Sequence, residues 1–287
     1  MPSPPALRLA IDIGGTFTDT VLVDGDGRIL ATAKTPTTPP EPALGALEGA
    51  RHALAATSAS WDEIGGCIHG TTLATNALIE RRGAKVGTIT TEGFRDILEI
   101  AYERRHCQFA INLEKPDLIV PRARSVTVGG RMNARGEELG PFDEDAVAAL
   151  AGRLEADGVE AVAICLLHSY ANPAHELRLR ETLRAALPEL VISVSHEVSP
   201  EAREFDRLCT TVANAYVQPL MSRYLADFET RFRAEGLACP ILMMTASGGM
   251  TTLETAARLP VRLVESGPAG GAILAARLAR ETGESKV

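Results

Sequence analysis

Leu9-Ala10-Ile11-Asp12-Ile13-Gly14-Gly15-Thr16-Phe17-Thr18-Asp19-Thr20-Val21-Leu22-Val23 decides how the chain is read. Apolar residues run up to a pair of glycines and a second apolar run leaves after Thr20, the pattern of two strands joined by a tight turn. Asp24-Gly25-Asp26-Gly27 is a further turn signal, and a strand-like run resumes from Arg28 to Lys34. The opening therefore predicts a three-stranded antiparallel meander, ended by a proline-rich link from Pro36 to Pro42. At the first turn, Gly14 and Gly15 permit positive φ and let backbone N–H groups converge on an anion, with the Thr16 and Thr18 hydroxyls as further donors. Asp12, at a strand end, is placed to hold a hydrated Mg²⁺ that bridges phosphate oxygens. The alternative is a glycine hairpin whose threonines merely suit a strand.

Outward from this hairpin the pattern alternates. A helix-like segment runs from Ala43 to Ala56, a short strand from Cys67 to His69, a helix from Leu73 to Arg81 and a strand from Lys85 to Thr90, an α/β rhythm. Gly93 to Gly140 is irregular and is expected to hold an inserted subdomain. Val147, Leu150, Ala151 and Leu154 then share one helix face, Val159 to Leu167 reads as a buried strand, and Ala174 to Leu187 with Leu190 to Val194 completes a second βαβ-like unit. Ser199-Pro200 opens a long helix, with Met221, Leu225, Phe228 and Phe232 as its stripe and Pro219 expected to kink or divide it. The end reads as strand Ile241 to Met244, a Gly248-Gly249 turn, strand Val261 to Glu265, a loop from Ser266 to Gly271 and a helix to about Arg280.

Composition removes several function classes. The chain has 287 residues, 45% hydrophobic and 23% charged, enough for a sizeable core. Its 29 Lys and Arg against 37 Asp and Glu give a net charge of −8 with no basic run to track a phosphate backbone, so nucleic acid is not expected as a partner. No apolar stretch approaches the roughly 18 to 20 residues of a membrane span, and the first residues resemble no secretory signal, so a cytoplasmic protein with no membrane partner is expected. Five scattered cysteines suit reduced thiols. No Gly-x-x-x-x-Gly-Lys-Ser/Thr run and no strand-borne Gly-x-Gly-x-x-Gly competes with the Gly14-Gly15 turn.

The strand–glycine–strand opening resembles the first phosphate loop of the actin-like ATPase superfamily. Four motifs in order narrow the resemblance: Asp12 to Asp19; His69-Gly70-Thr71-Thr72-Leu73-Ala74-Thr75-Asn76-Ala77; His168-Ser169-Tyr170-Ala171-Asn172-Pro173 with His175-Glu176; and Ser266-Gly267-Pro268-Ala269-Gly270-Gly271. Together, from about Leu7 to Gly271, they look like the motifs of the hydantoinase A / 5-oxoprolinase family. The resemblance implies an α/β fold, the actin-like (ribonuclease H-like) first lobe with an inserted subdomain, ending before a second lobe. It implies one domain over residues 7–198 and the start of a hydantoinase A domain over residues 203–287. It also implies ATP and Mg²⁺ as cofactors, ATP-dependent hydrolysis of a cyclic amide of the hydantoin or 5-oxoproline type, and a hydantoinase B-type partner subunit. An acetone or acetophenone carboxylase type of subunit, or a non-catalytic nucleotide-binding module, stays open as an alternative. Ala246-Ser247-Gly248-Gly249 departs from the Ser-Asn-Gly-Gly common in the family.

On this reading Asp12 and Glu265 are the catalytic candidates, Glu265 as orienter of the attacking water. Gly14, Gly15, Thr16, Thr18, Thr71, Thr72 and Gly267 are the cofactor-binding candidates, and Asp12 carries the Mg²⁺ through water. His69 and Asn76 are candidate substrate contacts, with a core or capping role open for His69, and Thr71 or Thr72 is equally suited to cap the helix that begins near Leu73. The seven-residue spacing of His168 and His175 fits no zinc motif, and His196-Glu197 reads as a solvated pair before a helix. The cluster Tyr102 to His106 reads as a solvated face, with anion binding by Arg104 or Arg105 the alternative.

Overall fold

The computed structural model describes residues 7–38, 41–103, 107, 109–113, 115–284 and 286; Arg104, Arg105 and His106, and with them the anion-binding alternative, lie outside the described residues. The chain opens with β1 (Leu7–Ile13), β2 (Phe17–Val23), β3 (Ile29–Pro36) and α1 (Pro42–Thr57), then β4 (Ile64–Thr71), α2 (Leu73–Ile79) and β5 (Val86–Thr91). It continues with α3 (Ile97–Ile100), β6 (Ser125–Val128), the hairpin β7 (Arg131–Met132) and β8 (Glu138–Gly140), α4 (Asp145–Ala156), β9 (Ala161–Cys165), α5 (Ala174–Ala186) and β10 (Val191–Val194). Last come α6 (Ser195–Val198), α7 (Glu204–Ala234), β11 (Ile241–Met244), β12 (Met250–Thr252), α8 (Leu253–Arg258) and α9 (Ser266–Thr282). These elements form two compact units, one of Met1–Arg82 with Leu220–Val287 and the other of Gly83–Pro219.

The first unit is built on a six-stranded sheet of order β12-β11-β4-β1-β2-β3. The predicted meander is its edge: β1 pairs antiparallel with β2 and β2 with β3, while β4 joins β1 in parallel. Strict alternation sorts the two faces. Leu9, Ile11, Ile13, Leu22, Cys67 and His69 are buried on one face, which Phe228 and Phe232 of α7 help to cover, their rings stacked 4.2 Å apart. Small residues bring α1 onto the same face: a Cβ on Gly49 would meet the Thr20 hydroxyl at 2.6 Å, and one on Gly45 the Pro36 carbonyl at 2.7 Å. Ala10, Asp12, Asp19, Val21, Ile68 and Gly70 are left on the opposite face.

The second unit carries a parallel sheet of order β10-β9-β5-β6. Its central strands are buried throughout, as a sheet covered on both faces requires. The core on one face runs from Ile89, Val126, Val162 and Ile164 to Val147 and Leu154 of α4 and Leu179 and Leu183 of α5. The irregular stretch from Gly93 to Gly140 is therefore not a separate body. It supplies β6 to this sheet, and the interruption of the first unit is the whole of Gly83–Pro219.

Three further expectations are corrected. Val261 to Glu265 is not a strand: Pro260–Leu263 forms a 3₁₀ turn, for which the fixed φ of Pro260 is preset, and Ser266 to Gly271 is the start of α9 rather than a loop. Pro268 is tolerated there because first-turn N–H groups have no helical acceptor. Pro219 does not divide α7, which runs 31 residues unbroken from Glu204 rather than from Ser199. After the Gly248-Gly249 turn come β12 and α8, whose Thr252 side chain caps the helix by accepting from the Thr255 amide at 3.2 Å.

Candidate functional site

The hairpin tip between β1 and β2 is the starting point. The Gly14 amide donates to the Phe17 carbonyl at 3.0 Å and closes the turn, whereas among the described residues the Gly15 and Thr16 amides donate to no protein acceptor. Neither glycine has a positive φ, which corrects the conformational reason expected for them. Space is the reason for Gly14, since a Cβ there would meet the Phe17 carbonyl oxygen at 3.1 Å. Thr16 is exposed beside the free amides. Thr18 is not a phosphate donor: its side chain is buried on the core face, 3.2 Å from the Thr37 hydroxyl, which donates in turn to the Gly14 carbonyl at 2.9 Å.

Below the tip the outer face of the sheet floors an open recess of about 370 Å³. Asp12 and Asp19 are register partners across the hairpin and both line it. Asp19 is paired with Lys34 at 2.9 Å, while among the described residues the Asp12 carboxylate has neither a salt-bridge nor a hydrogen-bond partner. Crowding of Asp12 by the recess and then the charge of Asp19 raise its carboxyl above the usual range. Gly70, the register partner of Asp12 on β4, makes room for it, since a Cβ there would stand 3.1 Å from Asp12 Oδ1.

The far wall is the beginning of α9, where Ser266, Gly267, Gly270 and Gly271 line the recess. First-turn amides of a 17-residue helix make that end favourable to anions. Gly267 and Gly271 leave open space where a Cβ would stand, and Gly270 accommodates Met244. Glu265 holds the N-cap position with φ 64°, exposed, its amide donating to the Thr75 hydroxyl at 3.2 Å; it adjoins the recess without lining it.

Thr71 and Thr72 line the recess where β4 becomes α2. Thr71 is buried and its hydroxyl accepts from the Leu73 amide at 3.2 Å, the helix-start role foreseen as its alternative. Asn76 donates to the Thr72 hydroxyl at 3.3 Å and lies 3.6 Å from the Cβ position of Gly15, so it braces the tip. His69 is not in the recess. It is fully buried on the opposite face, Nε2 2.5 Å from the Tyr224 hydroxyl, Nδ1 3.2 Å from the Ile11 carbonyl, the ring stacked on Phe228 at 4.5 Å. The core role, not the substrate contact, is the one its surroundings give it.

In the second unit His175 and His196 also have structural partners. His175 is buried against Phe142, 3.2 Å from Glu138, and His196 is not solvated: its Nδ1 lies 2.7 Å from the fully buried Glu176 carboxylate. Asp19, Met244 and Ser266 were given no role from sequence. Asp19 was recoverable, since a four-residue turn from Gly14 to Phe17 sets it directly across from Asp12. Met244 and Ser266 depend on long-range packing that periodicity does not carry.

Of the residues expected from sequence, Asp12, Thr71, Thr72 and Gly267 line the recess; Gly15 and Thr16 stand at the hairpin tip that follows β1, and Thr18 and His69 lie on the core face. The model of the hydantoinase/oxoprolinase N-terminal region matches residues 8–187, and the hydantoinase/oxoprolinase model matches residues 207–287. The chain belongs to the hydantoinase/oxoprolinase family. Among its relatives, the caprolactamase alpha subunit of Pseudomonas jessenii is 37% identical over 268 residues, 91% of this chain and 38% of that one. The acetophenone carboxylase gamma subunit of Aromatoleum aromaticum is 33% identical over 306 residues, 96% of this chain and 40% of the other. The 5-oxoprolinase 1 of Arabidopsis thaliana is 29% identical, covering 93% of this chain and 23% of the plant protein. The crystal structure of the ATP-dependent caprolactamase superposes with TM-score 0.85 at 35% identity, over 96% of this chain and 41% of that one. The nucleotide-free acetone carboxylase superposes with TM-score 0.88 at 27% identity, over 98% and 41%. The family thus includes ATP-dependent amide hydrolases and carboxylases, and the fold is an α/β, actin-like lobe. The chain spans about 40% of the length of the bacterial relatives it matches.

Proposed function

We propose that the recess under the Gly14-Gly15 tip is the phosphate-facing wall of an ATP site, in an enzyme that uses ATP to open a cyclic amide. The observation that carries this reading is that, among the described residues, the Asp12 carboxylate and the Gly15 and Thr16 amides have no protein partner, with a helix N-terminus also lining the recess. Anionic oxygens suit the amides of Gly15, Thr16 and the start of α9, and a hydrated divalent cation suits Asp12, whose own charge is raised in energy by partial burial and then by Asp19. The residues present therefore fit Mg²⁺ and the phosphates of ATP. ATP, when bound, supplies the phosphoryl group that turns a poor carbonyl electrophile into one that water can open. Asp12 would hold the hydrated cation, Gly70 keeps space for that carboxylate, Thr72 and Asn76 hold the tip in place, and the exposed Glu265 at the cap of α9 would orient water.

Cyclic amides of the lactam, hydantoin or 5-oxoproline type are the proposed substrates, since the amide-opening caprolactamase subunit is 37% identical against 33% for the acetophenone carboxylase subunit. A hydantoinase B-type subunit is the proposed partner, in line with the subunit names of those relatives. The test is turnover of the full-length protein, co-expressed with such a partner, under Mg-ATP. Amide opening coupled to ADP formation supports the reading. ATP cleavage coupled only to ketone carboxylation in bicarbonate would replace it with the carboxylase reading.

A further inference from the structure

The motif that begins at His168 lies in the second unit and has no part in the recess. The sheet there is ordered β10-β9-β5-β6 while the chain visits β5, β6, β9 and β10. From β5 the chain steps outward to β6, then crosses back through α4 to β9 on the other side. Right-handed crossovers that leave in opposite directions lie on opposite faces, so the loops after β5 and β9 diverge. In open parallel sheets the crevice outside the carboxyl ends of such a strand pair is where ligands bind. Register sets Thr90 beside Cys165, and the Leu167 amide donates to the Thr91 hydroxyl at 3.0 Å, so the two loops leave side by side.

Two side chains there are unexplained by the fold. His168 has φ 57°, a left-handed backbone that a non-glycine residue holds only where its surroundings over-determine it. Its ring is half-buried, with Nδ1 3.4 Å from the Tyr170 hydroxyl. Arg131 stands over the Phe94 ring, 5.0 Å from its centre, in the loop that follows β5. Among the described residues its guanidinium has no carboxylate and no hydrogen-bond acceptor, although it is half-buried. Arg207 is the contrast: fully buried, it donates to Ser195, to the Glu201 carbonyl and to the Leu166 carbonyl. The surroundings of His168 are cationic, because after burial the charges of Arg131 and Arg207 hold its imidazole below the usual range, with Glu204 opposing.

We propose that the carboxyl-end crevice between β5 and β9 is a second small-molecule site, in which Arg131 and His168 bind an oxyanion, carboxylate or phosphate. The oxyanion supplies the counter-charge that Arg131 lacks, the guanidinium offers a planar, ring-held geometry suited to two oxygens, and His168 supplies a further donor. Every residue involved belongs to the second unit, so the proposal stands apart from the nucleotide reading.

The experiment is an NMR titration of the His168 ring in the 287-residue chain, with acetate and separately with inorganic phosphate, against chloride at matched ionic strength. A saturable response to at least one, with Kd on the order of 1 mM or tighter, is expected. Preference for acetate or phosphate identifies which oxyanion the site takes. Arg131→Gln should weaken binding by about tenfold or more. The same variant should raise the His168 pKa without ligand, which checks that the two groups remain neighbours in a folded chain. His168→Asn, which tolerates the left-handed backbone, should weaken binding by about threefold or more. Chloride reproducing the response, or both variants binding as tightly as the wild type, would overturn the proposal.

Discussion

His69 ties the core beneath the hairpin to a measurable pH dependence. The Ile11 carbonyl can only accept, so Nδ1 carries the proton of the neutral ring and Nε2 accepts from the Tyr224 hydroxyl. Burial pushes the imidazole down to about 4, against the smaller upward pull of the Ile11 carbonyl, and pushes Tyr224 well up. In the unfolded chain the imidazole titrates near 6.5. Between those values the unfolded chain binds a proton that the folded chain does not. The neutral, buried ring therefore contributes its full stability above about pH 6.5. That contribution falls as pH drops toward 4, with a slope of up to about 1.4 kcal/mol per pH unit and a total of about 3 kcal/mol. Urea unfolding of the wild type and of His69→Gln between pH 4.5 and 7.5 isolates this contribution, because the other titrating groups, His168 included, are common to both proteins. The wild type should lose about 2 kcal/mol more than the variant on going from pH 7.5 to 4.5. Parallel stability curves would mean that His69 is not held neutral in the core.

Other substitutions separate the recess from the core behind it. Gly70→Ala puts a Cβ 3.1 Å from Asp12 Oδ1 and should lower ATP turnover of the full-length enzyme by about tenfold or more; unchanged turnover would show that the carboxylate position is not critical. Thr18→Val loses the buried hydroxyl pair with Thr37 and should cost about 1 kcal/mol in urea unfolding while turnover stays within about twofold, a larger kinetic loss returning Thr18 to the site. Glu265→Gln should lower kcat for ATP cleavage by about tenfold or more with KM for ATP nearly constant, whereas an unaltered kcat would leave Glu265 only its place at the cap of α9.

Local signals carried the fold further than the site. The meander, α1, α2, β5, β9, α5 and β10 follow from alternation, helical periodicity and turn residues, and each is found within a few residues of its expected place. The segment Val261 to Glu265 misled because a short apolar run fits strand and helical turn alike, and only the packing of Pro260 and Leu263 selects the latter. Ser266 to Gly271 misled in a similar way, since three glycines suggest a loop unless the helix beyond is long enough to hold them. At the site, residue type announced Asp12 and the glycines, but not which face each side chain takes. Period-two alternation from Asp12 does supply that answer for Thr18 and His69. Thr18 sits across from Ile13, and His69 across from Ile11, both core-facing positions. What no local pattern supplies is the approach of α9 to the sheet, which brings Ser266 and Gly267 to the recess.

The central claim is that Asp12 serves a cation and phosphates rather than the core. Steady-state Mg-dependent ATPase of the full-length enzyme with its partner, comparing wild type with Asp12→Ala, tests it most directly, because among the described residues the side chain has no partner whose loss would disturb folding. The expected result is an unchanged thermal melting temperature and a loss of turnover of about a hundredfold or more. Turnover within about threefold of the wild type, an effect below about 1 kcal/mol, would contradict the assignment of the recess.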